Sequence, residues 1–117
     1  MEIVRRKEVE DIERGDYRIK RLFTKIFQKL PENVGFYETT IPKGKVCKEQ
    51  WHQQSYEVVY FLTHGSAKLK NETYTFEKGD LVILNPGEKH EWQAVDQDLV
   101  VFAMRFPNLL KDKYTTD

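Results

Sequence analysis

Residues 50–57 read QWHQQSYE, and the chain runs on at once into the apolar stretch VVYFL. An amide (Gln50), an imidazole (His52) and a carboxylate (Glu57) beside such a stretch are costly to bury unless something satisfies them. A metal ion is the candidate. Side chains alternate along a strand, so Gln50 and His52 point the same way. The residues QQSY supply a short reversal, and Glu57 opens the next strand. His90 follows at the start of HEWQA, after a turn that contains Gly87. With these three strands side by side, two imidazoles and one carboxylate converge. Such a facial triad suits a divalent transition metal and leaves coordination positions open.

The elements that must position these groups are mostly strands. From Val34 onward VGFYETTI, EVVYFLT, AKL, TYTF, LVIL, HEWQA and LVVFAMRF alternate with PKGK, HGS, KNE, EKGD, NPGEK and VDQD. Short runs of Val, Ile, Tyr, Phe and Thr separated by Gly, Asn, Asp and Pro mark an all-β sandwich or barrel. Upstream, EVEDIERGD (8–16) fits one helical turn closed by Gly15, and KIFQKLPEN (25–33) ends in a Pro-containing loop. The reading is a single domain. Residues 1–33 form an N-terminal strand and turn segment packed on the barrel, 34–107 the barrel itself, and 108–117 a C-terminal surface arm.

Composition narrows the function. A chain of 117 residues is long enough for one core, and its 19 basic and 19 acidic residues cancel. No field of one sign draws it to nucleic acid or to an anionic membrane. Cys47 is the only cysteine, which excludes an intrachain disulfide and a Cys-based zinc site. No run approaches membrane-spanning length, and the N-terminus lacks a signal peptide's apolar core. Cytoplasmic residence is the expectation.

Two stretches resemble the motifs of the cupins, small jelly-roll β-barrels. GKVCKEQWHQQSYEVVYFLTHG matches the first motif at Gly44, His52, Glu57 and Gly65, with one extra residue before Gly65. GDLVILNPGEKHEWQA matches the second at Gly79, Gly87 and His90. Asn85 stands where that motif has its first proline, and Ala94 where it has asparagine. The resemblance implies a cupin jelly-roll with a short irregular or helical N-terminal segment. It also implies a site for Fe, Mn, Zn or Ni held by His52, Glu57 and His90. Gln50 replaces the first motif histidine. Its neutral oxygen is a weaker donor, so it serves as a fourth ligand or as a hydrogen-bonding neighbour. A metal-free cupin is the competing reading.

Parity sketches the pocket wall. Val59 and Phe61 share a face with Glu57, Trp92 shares one with His90, and together they form an apolar cavity suited to a small molecule. Arg105 falls on the face of Leu99, Val101 and Ala103, where it either grips a carboxylate or phosphate or marks the rim or a subunit contact. Cys47 has the opposite parity from Gln50 and His52 if its strand is unbroken, and reads as a packed side chain. His64 reads as a solvated turn residue, and Gly65, Gly79 and Gly87 as turn glycines with positive φ. Both faces of LVVFAMRF are apolar, and because small cupins commonly pair through such sheets, a homodimer is expected.

Similar cupins include isomerases, epimerases, lyases and dioxygenases. The resemblance therefore implies metal-assisted isomerisation, lyase or oxygenase chemistry on a sugar derivative or an oxo or hydroxy acid. Glu57 is the base if it is not tightly held by metal. The alternative is a binding or sensing cupin without catalysis.

Overall fold

The structure, a computed structural model, describes residues 1–22, 33–109 and 111–115. In chain order its elements are β1 (Glu2–Val4), a 3-10 turn (Arg6–Glu8), β2 (Asp11–Glu13), β3 (Arg18–Lys20), β4 (Gly35–Ile41) and β5 (Val46–His52). There follow β6 (Tyr56–Phe61), β7 (Gly65–Leu69), β8 (Glu72–Phe76), β9 (Leu81–Leu84), β10 (His90–Gln93), β11 (Leu99–Phe106) and β12 (Lys113–Thr115). Two five-stranded antiparallel sheets, ordered β1-β9-β6-β11-β4 and β12-β5-β10-β7-β8, make the two walls of a jelly-roll barrel.

The two-residue period of the sequence sorts the core. On β9, Val82 and Leu84 join the barrel interior, whereas Leu81 and Ile83 join a second cluster on the outside of the same sheet. On β11, Leu99, Val101 and Ala103 face inward with Ile41, Val59 and Leu69. Deep in the barrel, Phe61 stacks on Phe76 with ring centroids 4.3 Å apart and meets Trp92 edge-on at 5.9 Å. The outer cluster gathers Val58, Leu81, Ile83 and Phe106, with Val4 and Leu22 of the N-terminal segment packed against it. Burying both faces of β6 and β9 removes far more apolar surface from water than one-sided strands would.

Several local expectations change. Residues 8–16 do not form a helical turn. Asp11–Glu13 and Arg18–Lys20 instead pair as a hairpin around Gly15, with Lys20 Nζ 3.0 Å from Asp11 Oδ1 across the strands. Alternation of Ile12 and Ile19 with charged neighbours suits a strand, and this local pairing outweighs the helical signal of the acidic run. Residues 25–32 of the expected Pro-containing loop lie outside the described residues. Gly65 is not a positive-φ turn glycine. A Cβ there would lie 2.6 Å from Leu99 Cδ1, so the requirement is close packing. The C-terminal arm is a strand, since β12 pairs with β5 and joins Lys113 to His52, Tyr114 to Trp51 and Thr115 to Gln50.

Asp80, buried between β8 and β9, ties the N-terminal segment to the barrel. Its carboxylate accepts from Arg5 Nη1 at 2.9 Å, from the Arg6 N–H at 3.1 Å and from the Glu77 N–H at 2.9 Å. Burial raises its pKa, but these donors outweigh burial and hold it below the ordinary 3.8. The folded protein therefore takes up this proton less readily than the unfolded chain. The resulting stabilisation is fully present above the ordinary value and disappears as pH falls through the lower folded one. Asp80→Asn is expected to cost about 1–3 kcal/mol at neutral pH and to flatten the acid-side loss of stability. Urea midpoints measured from neutral to acid pH check both effects.

Candidate metal centre

His52 ends β5 and His90 opens β10, and these strands are neighbours with His90 directly opposite Gln50. Glu57 arrives differently. Its strand, β6, belongs to the other sheet, so the three strands do not lie side by side as the sequence suggested. The Gln53–Ser55 reversal is a crossover between sheets, and Glu57 faces the two histidines across the barrel. One ligand atom from each of the three residues lies within 4.8 Å of the others. His52 Nε2 is 3.1 Å from Glu57 Oε2, and His90 Nε2 is 3.7 Å from Glu57 Oε1.

The other ring nitrogens set the tautomers. His52 Nδ1 lies 3.3 Å from the Asp112 carbonyl oxygen and His90 Nδ1 3.3 Å from that of Glu88. A carbonyl only accepts, so each Nδ1 carries a proton, and in the neutral ring each Nε2 directs its lone pair at the centre. All three residues are buried, at 3% exposure for His52 and Glu57 and 0% for His90. Neither Nε2 has a hydrogen-bond partner among the described residues. Two buried lone pairs facing a carboxylate are an arrangement that a cation resolves. The donor set fits a divalent transition metal.

Electrostatics agree. Burial pushes the Glu57 carboxyl up, but the close approach of His52, the charge that His90 and His52 carry when protonated, and Arg105 outweigh it and hold it at about 2. Burial pushes the His90 imidazole below its ordinary 6.5, against the opposing pull of Glu57. A charged carboxylate and a neutral imidazole are the states that ligation requires.

Arg105, opposite Glu57 in register, holds the back of that carboxylate. Its Nε and Nη2 donate to Glu57 Oε2 at 3.2 and 3.0 Å, and its guanidinium lies 4.8 Å over the Tyr37 ring. A cavity of about 270 Å³ opens beside the cluster, lined by Gln50, Glu57, Val59, Trp92 and Arg105 among others. Phe61 is set deeper, in the core, and does not line it. Cys47 does line it, contrary to simple parity. Between His90 and Trp92 the β10 register steps from Gln50 to Cys47, so a bulge in β5 brings Cys47 and Gln50 to one wall. Tyr37, Thr39 and Lys113 also escaped sequence reasoning. The inward period of β4 could have given the first two. His64 is half-exposed and pairs with Asp96 at 2.8 Å, away from the cavity.

Asp112 supports the cluster from the C-terminal segment. Its carboxylate accepts the N–H groups of Gln53, Gln54 and Ser55 at 3.1, 2.9 and 2.9 Å, and the Ser55 hydroxyl at 3.0 Å. This is the crossover that spaces His52 from Glu57. Gly87, at φ +84, donates its N–H to the His52 carbonyl at 2.7 Å and so fixes the loop that leads to His90.

The chain belongs to the cupin family, whose domain matches residues 37–104, more than half of its length. No curated protein matches it. Among solved structures it is similar to DMSP lyase DddQ from Ruegeria pomeroyi, at 16% identity and a TM-score of 0.66, over 73% of this chain. The chain spans only 44% of that lyase's length. It is also similar to KdgF from a Halomonas species, at 18% identity and a TM-score of 0.62, over 74% of this chain and 78% of that one. A putative sugar phosphate isomerase from Acidithiobacillus ferrooxidans matches at 22% identity and a TM-score of 0.58, over 66% of this chain and 52% of that one. At these identities the likeness is one of fold.

Asp112→Ala leaves the N–H groups of the crossover without their acceptor. It is expected to cost about 2–4 kcal/mol in urea unfolding and to weaken zinc binding about 10–100-fold. Calorimetric zinc titration of the still-folded variant reads the second effect.

Proposed function

We propose that this chain is a metal-dependent cupin enzyme that acts on a small polar molecule, a sugar derivative or an oxo or hydroxy acid. The supporting observation is the pair of buried imidazole nitrogens, His52 Nε2 and His90 Nε2, without partners among the described residues and converging on Glu57. Under this reading His52, Glu57 and His90 hold Fe, Mn, Zn or Ni, and Gln50, buried in the same wall, is a fourth donor or a hydrogen-bonding neighbour. Such an ion, when bound, would supply Lewis acidity toward a carbonyl or hydroxyl for isomerase or lyase chemistry, and a redox-active one such as Fe or Mn would supply dioxygen activation for oxygenase chemistry.

The chain's own groups do the rest. Val59, Trp92, Val101 and Ala103 give the cavity apolar walls that exclude water, and Arg105 orients Glu57. A carboxyl held at about 2 is a weak base at neutral pH, which supports ligation by Glu57 over its alternative role as the base. One observation favours a second reading, a binding or sensing cupin without catalysis: Arg105 already neutralises Glu57 without any ion.

Mass spectrometry of the protein purified without added metal tests the first reading. Stoichiometric transition metal is expected in the parent. His52→Ala and His90→Ala should retain less than about a tenth of it while keeping a β-sheet circular dichroism spectrum. Full retention in both variants would remove these histidines from the site.

A homodimer is also part of the proposal. The N-terminal segment covers one half of the outer sheet, but Phe36 and Phe102 remain 61% and 38% exposed, stacked 5.7 Å apart beside Val100. Light scattering is expected to show a dimer at micromolar concentration and a smaller species for Phe102→Asp. A monomeric parent would refute it. No helix among the described residues is long and apolar enough to cross a membrane, and a cytoplasmic setting completes the proposal.

A further inference from the structure

The charges around the cavity do not balance. Of the described residues that line it, Glu57 alone is acidic, whereas Arg105 and Lys113 are basic. Glu57 is already shared between both histidines and Arg105. Any cation bound by the cluster raises the positive excess further.

Each basic group has capacity to spare. Arg105 commits Nε and Nη2 to Glu57, and its Nη1 has no hydrogen bond among the described residues. Stacking on Tyr37, whose hydroxyl bonds Asn108 Oδ1 at 2.5 Å, holds the guanidinium in place. Lys113 forms no ion pair among the described residues, although β12 sets it opposite His52 at the cavity mouth. A guanidinium held over Tyr37 and an exposed ammonium lining the same cavity, with the apolar surfaces of Val59, Trp92 and Val101, favour a small anion. The volume of about 270 Å³ lies just under the usual range of about 300–1,000 Å³ for ligand pockets, so the ligand is small.

We infer that the molecule taken into this cavity is a small hydroxylated anion, a carboxylate or phosphate ester, whose charged end docks on Arg105 and Lys113. Its hydroxyl or carbonyl end then faces His52, Glu57 and His90. This rests on the proposed function for the second contact only; the anion subsite exists in the protein without metal.

Calorimetric titration of glycerate, glycerol 3-phosphate and glycerol tests it, in metal-free and in zinc-loaded protein. In both forms at least one anion is expected to bind about tenfold or more tightly than glycerol, and the better anion identifies carboxylate or phosphate as the group recognised. Lys113→Gln changes an exposed side chain with no ion pair among the described residues, so the variant folds. It should lose about three- to tenfold in anion affinity while its zinc titration stays unchanged. Anions that bind no tighter than glycerol, or equally well to Lys113→Gln, overturn the subsite. Failure of the parent to take up zinc strikes the metal centre alone, because the anion preference is read independently in the metal-free protein.

Discussion

Two imidazole nitrogens and a carboxylate, pressed together with almost no exposed surface, are the constraint to which the rest of this barrel is fitted. With both rings neutral their lone pairs repel, and burial leaves little solvent to relieve them. What keeps them facing one another is the set of carbonyl oxygens behind the rings. The carbonyls of Asp112 and Glu88 each accept a hydrogen bond from an Nδ1–H, and this turns both Nε2 atoms toward the centre. Arg105 performs the matching task for Glu57, donating to the same Oε2 that His52 approaches.

The barrel supplies the distances. A single sheet would place His52, His90 and Glu57 in a row, with the carboxylate a strand's width further off. Carrying Glu57 into the facing sheet turns the row into a triangle. The crossover that does so exposes consecutive backbone N–H groups, and one buried carboxylate from a distant segment satisfies them together. Rigid packing beneath, centred on Phe61, Phe76 and Trp92, gives the ligand strands a floor that does not yield.

Most of this was legible in the sequence wherever period and punctuation agreed. LVIL and LVVFAMRF became β9 and β11 with the boundaries their apolar runs suggest, and the motif spacing brought His52, Glu57 and His90 together. The misses share a physical cause. Parity along β5 holds only until the bulge, so Cys47 and Gln50 came to one wall although their spacing argued otherwise. Lys113 and Asp112 lie in a charged, polar stretch with no strand signature, and they are fixed by pairing with β5 and by the crossover. The hairpin of β2 and β3 likewise owes its form to cross-strand charge pairing that a one-strand reading does not see. Long-range partners decide such segments, and a local pattern carries no record of them.

Asp112 meets the crossover over a sequence separation of 57 to 59 residues, and it sits beside a three-residue strand on the sheet's edge. Edge strands of this length fray more readily than a barrel core. The histidine and glutamate side chains are buried, whereas β12 is exposed along its whole length. Loosening of β12 would free the Asp112 carboxylate from the crossover and so relax the spacing between His52 and Glu57. The outermost strand of the barrel thus shares in the geometry of its most enclosed residues.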